Sequence, residues 1–124
     1  MVLDAAQPVS DAIDALLASP QKEFPVVDGT GRIVGLLDRD AMIMGLRDKG
    51  AGVPVGEVMR DCVPIGPEVP LPEAYARMRQ RGAAADIVAD ARGRVIGVLT
   101  AENVAEMMMV ESARQEWFAR GSPR

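Results

Sequence analysis

The sequence predicts an α/β (α+β) fold made of two strand-helix-strand-strand-helix units whose small sheets face each other. A pentapeptide at Gly31–Gly35 recurs at Gly93–Gly97, which defines an internal repeat with an offset of 62 residues (93 − 31). Hydrophobic periods and turn residues follow the same order in both halves. Neither unit alone can bury both faces of so small a sheet, so the two are expected to pack together.

The offset of 62 extends well beyond this pentapeptide. Identical residues recur at the same spacing and without gaps through both halves. The matched pairs are Pro8 and Pro70, Ala12 and Ala74, Val26 and Val88, Asp28 and Asp90, and Leu37 and Leu99. One duplicated supersecondary unit therefore accounts for most of the chain.

In repeat 1 the sequence predicts a short first strand, a helix, a β-hairpin and a second helix, in that order. The predicted elements are a helix over 11–18 with Ser10 as N-cap, strands over 24–27 and 32–37 joined by a turn over 28–31, and a helix over 39–48 with Asp38 as N-cap. The apolar face of the first helix is expected to comprise Ala12, Ile13, Leu16 and Leu17.

Repeat 2 follows the same order. Its predicted elements are a helical turn over 54–59, an extended stretch over 63–65, a helix from Pro72 to about Arg81, strands over 86–89 and 94–99, and a long final helix with Thr100 as N-cap. The expected boundaries are 1–53 for repeat 1, 54–112 for repeat 2 with 54–62 as its connecting segment, and 113–124 for a helical extension and tail. The counterpart of 55–59 in repeat 1 would precede residue 1, which favours a piece of a larger protein.

Composition excludes several classes of function. A net charge of −4 argues against binding to nucleic acid, because phosphate neutralisation requires clustered Lys and Arg. The chain has no His and a single cysteine, Cys62, so imidazole-based catalysis, zinc sites and intrachain disulfides are excluded. No apolar run reaches the length of a membrane span and no signal peptide is evident, so the sequence favours the cytoplasm and no direct membrane insertion.

Three segments resemble a known family. Val58, Met59 and Val63, the strand Phe24–Asp28, and the step Gly97–Thr100 are similar to CBS (cystathionine-β-synthase) repeats. The resemblance covers about residues 1–112 in two copies. It implies a Bateman module, in which two β-α-β-β-α CBS repeats are related by a pseudo-two-fold axis, and a regulatory role without catalysis.

A narrower resemblance concerns the larger protein. The stretches 19–27 and 100–108 are similar to the CBS pairs appended to bacterial site-2-protease-like (M50 family) membrane metallopeptidases. The resemblance implies a zinc metallopeptidase as the parent, which can be an integral membrane protein. The His-Glu-x-x-His motif of such enzymes is not in this chain.

CBS pairs commonly bind adenosine-type ligands in the cleft between the repeats. The resemblance therefore implies AMP, adenosine, ATP or S-adenosylmethionine as a regulatory ligand, with no catalytic residue and no metal site. The implied contacts in repeat 2 are Val63, Ile65, Ala85, Asp86, Ile87, Thr100 and Asn103. Those in repeat 1 are Leu3, Glu23, Phe24, Pro25 and Asp38.

Both repeats depart from the family pattern at polar positions. The family places Thr or Ser at the N-terminus of the second helix, where free N–H groups favour an anion, and Asp three residues later. Repeat 2 keeps Thr100 but has Asn103, and repeat 1 has Asp38 and Ala41. A carboxylate at Asp38 repels phosphate, so ligands with several phosphates are disfavoured. The cations expected to reach a phosphate are Arg60, Arg92 and Arg94.

Two functions remain open from the sequence. One is an adenine-nucleotide sensor that acts on a covalently attached effector domain; the other is a ligand-free dimerisation and interaction module, which the altered polar positions favour. CBS pairs generally dimerise through the second helix of each repeat. The implied homodimer helices are the one containing Met42, Ile43 and Leu46 and the one containing Val104, Met107 and Met108.

Overall fold

The structure, a computed structural model, describes residues 2–120. Four helices and five strands follow one another in the order that the sequence predicts. The elements are β1 (Leu3–Asp4), α1 (Val9–Ala18), β2 (Glu23–Val27), β3 (Ile33–Asp38), α2 (Arg39–Lys49), a 3₁₀ turn (Val55–Glu57), α3 (Leu71–Arg81), β4 (Ala85–Ala89), β5 (Val95–Thr100) and α4 (Ala101–Ala119). This mixed α+β architecture confirms the predicted fold class.

The pairing of the strands repeats with the same offset of 62 residues as the sequence. In repeat 1, β1 pairs in parallel with β2 through Leu3 and Val26. The counterpart in repeat 2 is the parallel bridge between Ile65 and Val88. Each hairpin also has a register shift at the same place, after Val26 and after Val88. The duplication therefore preserves hydrogen-bond register as well as residue type.

The two hairpin turns are built alike. The Oδ1 atom of Asp28 accepts hydrogen bonds from the N–H groups of Thr30 and Arg32, at 2.9 and 3.1 Å. Asp90 accepts from the corresponding N–H groups of Arg92 and Arg94, at 2.9 and 3.0 Å. Glycines 31 and 93 follow with positive φ angles of 84° and 78°, a region that side chains strongly disfavour.

The core has two layers. The larger cluster packs α1 and α2 onto the sheet of repeat 1 and includes Leu3, Ala12, Phe24, Val26, Leu37 and Met42. A second cluster lies where the two sheets meet. It joins Leu36 of β3 to Ala85 and Ile87 of β4 and to Cys62, with Ile33, Val95 and Val98 at its margin. The sheets thus face each other, as predicted.

The connecting segment (residues 54–62) lies on repeat 1 before it enters repeat 2. Val55 donates to the carbonyl of Gln7 at 2.7 Å, and Gly56 donates to that of Ala5 at 2.9 Å. Further along, Arg60 forms an antiparallel bridge with Leu36 of β3. Both hydrogen bonds of this bridge are present, at 2.9 and 2.8 Å. The segment therefore adds a backbone partner to the outer edge of β3.

Two details of the helices differ from the sequence prediction. Helix α1 begins at Val9 with Pro8 at the N-cap position, so Ser10 lies inside its first turn. Leu17 is 80% exposed, because the buried face of α1 is centred on Val9, Ala12 and Ala15. The predicted caps Asp38 and Thr100 are both confirmed.

Helix α4 continues from the repeat into the predicted extension as one helix ending at Ala119. Residues 111–120 are all exposed. The final four residues of the predicted tail, 121–124, and Met1 lie outside the described residues. Within residues 2–120, no helix combines the length and apolar character needed to cross a membrane.

Candidate functional site

A cleft between the two repeats contains two of the polar candidate residues, Asp38 and Arg60. It has a volume of about 370 Å³. Its walls come from the β3–α2 junction, the connecting segment and the α3–β4 turn. The lining residues are Leu36, Asp38, Asp40, Arg60, Asp61, Cys62, Arg81, Gly82, Ala83, Ala84 and Ala85. A molecule held there would touch both repeats.

Asp38 is fixed at the repeat 1 side of this cleft. Its Oδ1 atom accepts a hydrogen bond from the N–H of Ala41 at 2.8 Å, which caps α2. Its Oδ2 atom accepts from Nε of Arg60 at 2.7 Å. The guanidinium of Arg60 is more than half exposed, so this ion pair stabilises the fold only slightly. A ligand can therefore displace Arg60 at small cost.

Behind the opposite wall lies a buried carboxylate. Asp86 is fully buried, and its Oδ1 atom contacts Sγ of Cys62 at 3.4 Å and Nη1 of Arg81 at 3.8 Å. Its Oδ2 atom is buried without a hydrogen-bond partner. Burial, and then the nearby carboxylate of Asp86, raise the pKa of the Cys62 thiol, although the N–H of Ile87 opposes this. Cys62 is therefore a neutral thiol at physiological pH.

Larger cavities lie elsewhere. One, of about 660 Å³, separates the hairpin turns and is lined by Arg32, Val63 and Arg92 among others. Another is a groove of about 740 Å³ along α4, formed with the start of α3 by residues such as Leu71, Met107 and Val110. The groove is lined by repeat 2 and the helical extension and does not reach repeat 1. Of these three cavities, the inter-repeat cleft is the one that combines a helix N-terminus with charges from both repeats.

The site residues predicted in repeat 2 have different surroundings. Ala85 lines the cleft, whereas Val63 lies between the hairpin turns and is largely exposed. Ile65 and Ile87 are buried in the core, as is Asp86. The Oγ1 atom of Thr100 accepts the N–H of Asn103 at 3.1 Å and caps α4. Neither Thr100 nor Asn103 lines this cleft.

The site residues predicted in repeat 1 are likewise divided between the buried core and the cleft. Leu3, Phe24 and Pro25 are buried as whole residues, and none of them lines the cleft. Glu23 is the strand partner of Asp38, and Asp38 lines the cleft.

The cleft combines groups that the sequence analysis assigned to different repeats. Asp38 of repeat 1 faces Ala85 of repeat 2, and Arg60 pairs with Asp38. The sequence analysis placed Arg81 at the end of α3 but not in the site, because no family motif marks that position. The sequence feature that could have indicated this position is Gly82. It ends α3 in a left-handed conformation (φ 63°) and turns the chain at the cleft.

Some of the side chains predicted to form the homodimer interface are buried in the core instead. Met42 and Val104 are fully buried. Ile43, Leu46 and Met107 are each more than two-fifths exposed. Of the six side chains named for the dimer, these three and half-buried Met108 therefore remain accessible. Among residues 2–120, no group of three or more acidic or thiol side chains is placed to hold a metal ion.

Comparison with known proteins identifies the family. The model of the CBS domain matches residues 1–48 and 55–110. A search of the curated proteins gave no match. Among solved structures, the CBS domains of a transcriptional regulator from Streptococcus pneumoniae superpose with a TM-score of 0.70 at 21% identity, covering 85% of this chain and 86% of that chain.

Two other solved structures resemble the chain and were crystallised with adenosine compounds. CBSX2 in complex with AMP has a TM-score of 0.72 at 21% identity, covering 90% of this chain and 89% of that one. The CBS domain pair of MJ0100, in complex with 5′-methylthioadenosine and S-adenosyl-L-methionine, has a TM-score of 0.74 at 19% identity, covering 90% of each chain. At such identities these likenesses show the fold. The chain belongs to the CBS domain family and is a tandem pair of CBS domains, a regulatory rather than catalytic module.

Proposed function

We propose that this module binds an adenosine-type ligand in the inter-repeat cleft and thereby regulates an attached effector. The observation that carries the proposal is the composition of the cleft, where Asp38 of repeat 1 faces residues 83–85 of repeat 2. A ligand that contacts both repeats binds differently to different arrangements of the repeats. Such a difference in affinity is what a regulatory ligand requires.

The chemistry of the cleft suits a nucleoside. The Oδ2 atom of Asp38 can accept a ribose hydroxyl once Arg60 turns away. The three consecutive alanines at 83–85 leave room for a flat ring against the main chain. Relatives with the same fold were crystallised with AMP and with S-adenosylmethionine, which supports the ligand class.

The charge of the cleft discriminates among adenosine ligands. Its lining holds three carboxylates, at Asp38, Asp40 and Asp61, and two guanidinium groups, at Arg60 and Arg81. The formal balance is −1 (two positive, three negative). We therefore expect adenosine and cationic S-adenosylmethionine to bind more tightly than AMP, and ATP to bind most weakly.

A second, related position is proposed around Thr100 and Asn103. The offset of 62 relates Thr100 to Asp38, and residues 81–85 to 19–23. A ligand at this position would therefore contact the N-terminus of α4 and residues 19–23, which end at Glu23, the first residue of β2. Thr100 carries no charge, so this position tolerates a phosphate better than the cleft at Asp38 does.

A thermal-shift screen tests the proposed function. At millimolar concentration, adenosine and S-adenosylmethionine should raise the melting temperature more than AMP does, and ATP should raise it least, because a ligand that binds the folded state stabilises it. Ala84 lines the cleft and is exposed, so Ala84→Phe should fill the cleft and abolish the shift. Ala91→Phe places the same ring on an exposed residue of the second hairpin turn and is the matched control. No shift with any ligand would refute the proposal.

The parent protein is a separate proposal. The resemblance of 19–27 and 100–108 to the CBS pairs of M50 membrane metallopeptidases favours such an enzyme as the effector, with this module in the cytoplasm. The proposed boundaries remain 1–53, 54–112 and 113–124. Sequencing the gene around this module tests the proposal: apolar spans with a His-Glu-x-x-His motif support it, and a different effector domain refutes it.

The alternative function, a ligand-free dimerisation module, is favoured by the surface of α4. Met107, Met109 and Val110 are all exposed on this helix, and α2 exposes Ile43 and Leu46. Exposed apolar groups of this kind commonly mark protein interfaces. Sedimentation velocity distinguishes the two functions when combined with the ligand screen: a dimer that Met109→Glu dissociates, with no thermal shift by any ligand, would favour the alternative.

A further inference from the structure

The cavity between the two hairpin turns, here called the turn cavity, is separate from the inter-repeat cleft. Its volume of about 660 Å³ lies within the range of about 300–1,000 Å³ that is typical of small-molecule sites. Its walls come from the first hairpin turn, residues 62–64 and the second hairpin turn. Among residues 2–120, Cys62 alone lines both the turn cavity and the cleft. A molecule in the turn cavity would therefore contact both repeats without entering the cleft.

The charge of the turn cavity is opposite in sign to that of the cleft. Its lining holds two guanidinium groups, at Arg32 and Arg92, and one carboxylate, at Asp28. The formal balance is +1 (two positive, one negative), whereas the cleft carries −1 and the whole chain −4. An anion is therefore attracted to the turn cavity more strongly than to the cleft.

Neither guanidinium group in the turn cavity has a carboxylate partner. Within residues 2–120, Arg32 and Arg92 make no ion pair. Arg94, the counterpart of Arg32, instead donates from Nε to Oδ2 of Asp90 at 3.2 Å. In repeat 1 the equivalent carboxylate, Asp28, accepts a threonine hydroxyl and main-chain N–H groups of its own turn. Arg32 and Arg92 can therefore pair with an anion from solution.

Part of the lining of the turn cavity is apolar. Ile33, Val34, Val63 and Pro64 contribute to it. Val63 is 69% exposed, so a ligand that covers it removes apolar surface from water. Apolar side chains beside unpaired guanidinium groups suit a ligand with an apolar body and an anionic head group. A fully polar ion would use the guanidinium groups alone.

We propose that the turn cavity binds an organic anion that has an apolar body and one anionic head group. The head group pairs with Arg32 and Arg92, and the apolar body covers Ile33 and Val63. Because each repeat supplies one guanidinium group, binding favours the arrangements of the repeats in which both groups reach the ligand. The proposal does not depend on the adenosine-type ligand proposed for the cleft.

Titration of the ¹⁵N-labelled module with millimolar octanoate tests the proposal. Saturable shifts are expected at the amide resonances of Arg32, Val63 and Gly93 in the same titration. Hexanoate should bind about tenfold more weakly, because it has two fewer CH₂ groups to bury. Octylamine has a similar chain with a cationic head group, and it should give no saturable shift at these residues.

Two double variants separate the guanidinium pair from general charge effects. Arg32→Gln with Arg92→Gln should weaken the binding of octanoate about tenfold, because both charge-assisted hydrogen bonds are lost. Arg47→Gln with Arg120→Gln is the matched control, since it changes the net charge equally. Both of its arginines are exposed, and they line neither the turn cavity nor the cleft. This control should bind octanoate as tightly as the wild type does.

Val63→Ser tests the apolar part of the site. Because Val63 is exposed, the substitution should leave the fold intact. It should weaken the binding of octanoate about threefold, since the ligand covers less apolar surface. It should leave the weak binding of acetate, which has no chain to bury, unchanged.

Four results would overturn the proposal. Octanoate could give no saturable shifts, the two double variants could bind it equally, or acetate or inorganic phosphate could bind as tightly as octanoate does. The shifts could also be confined to the groove along α4, near Met107. Ala84→Phe fills the cleft and should leave octanoate binding unchanged, so a failed adenosine screen and a failed octanoate titration remain distinguishable.

Discussion

Asp86 occupies in repeat 2 the position that Phe24 occupies in repeat 1, and both side chains are fully buried. Phe24 contributes to the core, whereas Asp86 keeps one carboxylate oxygen without a partner. A buried acceptor left unpaired costs about 1–3 kcal/mol. This unfavourable group lies beside the cleft, because Cys62 and Arg81 contact Asp86 and also line the cleft wall.

Replacing the buried carboxylate should stabilise the fold. We expect Asp86→Val to raise the free energy of unfolding by about 1–3 kcal/mol, since the unpaired oxygen is removed and Arg81 can be solvated. Phe24→Val, at the equivalent position, should lower it by about 2 kcal/mol or more through a cavity. Urea denaturation measures both changes. A loss of stability in Asp86→Val would mean that the contacts to Cys62 and Arg81 outweigh the unpaired oxygen.

The thiol of Cys62 should be unreactive in the folded protein. Burial raises its pKa, and the thiolate is the reactive form. At pH 8 we expect a disulfide reagent such as Ellman's reagent to modify the native protein much more slowly than the protein in urea. Equal rates in the two conditions would contradict the burial of Cys62.

The turn aspartates make folding sensitive to acid. The hydroxyl and N–H of Thr30 lower the pKa of Asp28 below its ordinary 3.8, and the N–H groups of Arg94 and Arg92 lower that of Asp90. A carboxylate with a lowered folded-state pKa stabilises the protein above its unfolded pKa, and this stability is lost as pH falls through the folded value. The double variant Asp28→Asn, Asp90→Asn should therefore lose less stability than the wild type between about pH 5 and pH 2. Parallel pH profiles of urea unfolding would contradict this.

At the scale of elements, the connecting segment distinguishes the two hairpins. Gly35→Ala places a methyl group against the main chain of Arg60, which cannot yield without displacing the segment. We expect it to destabilise the protein by about 1–3 kcal/mol, as overpacking does. Gly97→Ala meets open space and should change stability by less than about 0.5 kcal/mol. Thermal unfolding of the pair is the measurement, and equal losses would mean that the segment does not cover β3.

The features of the fold that the sequence predicts are those that depend on local residue patterns. The offset of 62 residues relates the pairing of Leu3 with Val26 to that of Ile65 with Val88, because equivalent sequences form equivalent registers. The helix caps at Asp38 and Thr100 also followed from residue type. The exposure of Leu17 did not follow from residue type. The small residues Ala12 and Ala15 form the buried face of α1 instead.

The composition of the cleft was less predictable, because a repeat offset identifies equivalent residues and not residues in contact. The sequence suggested candidates within each repeat separately. The structure brings Asp38 of repeat 1 to Ala85 of repeat 2, together with Arg60 and Arg81. Contacts across an internal interface depend on how the two sheets pack, and no local pattern encodes that packing.

For the whole molecule, the two repeats form one functional unit. Leu36 and Ile87 bury the sheets against each other, and the cleft opens beside this contact. The charges that line it come from both sides, so relative movement of the repeats changes its shape. The affinity of the proposed ligand should therefore depend on how the two repeats are arranged.

The most direct test of this account is to map the amide resonances of the ¹⁵N-labelled module during titration with adenosine, using Ala84→Phe as the control. The account predicts saturable shifts at Ala41, Arg60 and residues 83–85 in the same titration, which Ala84→Phe abolishes while Ala91→Phe leaves them intact. Saturable shifts confined to one repeat, or no shifts at millimolar adenosine, would contradict binding between the repeats.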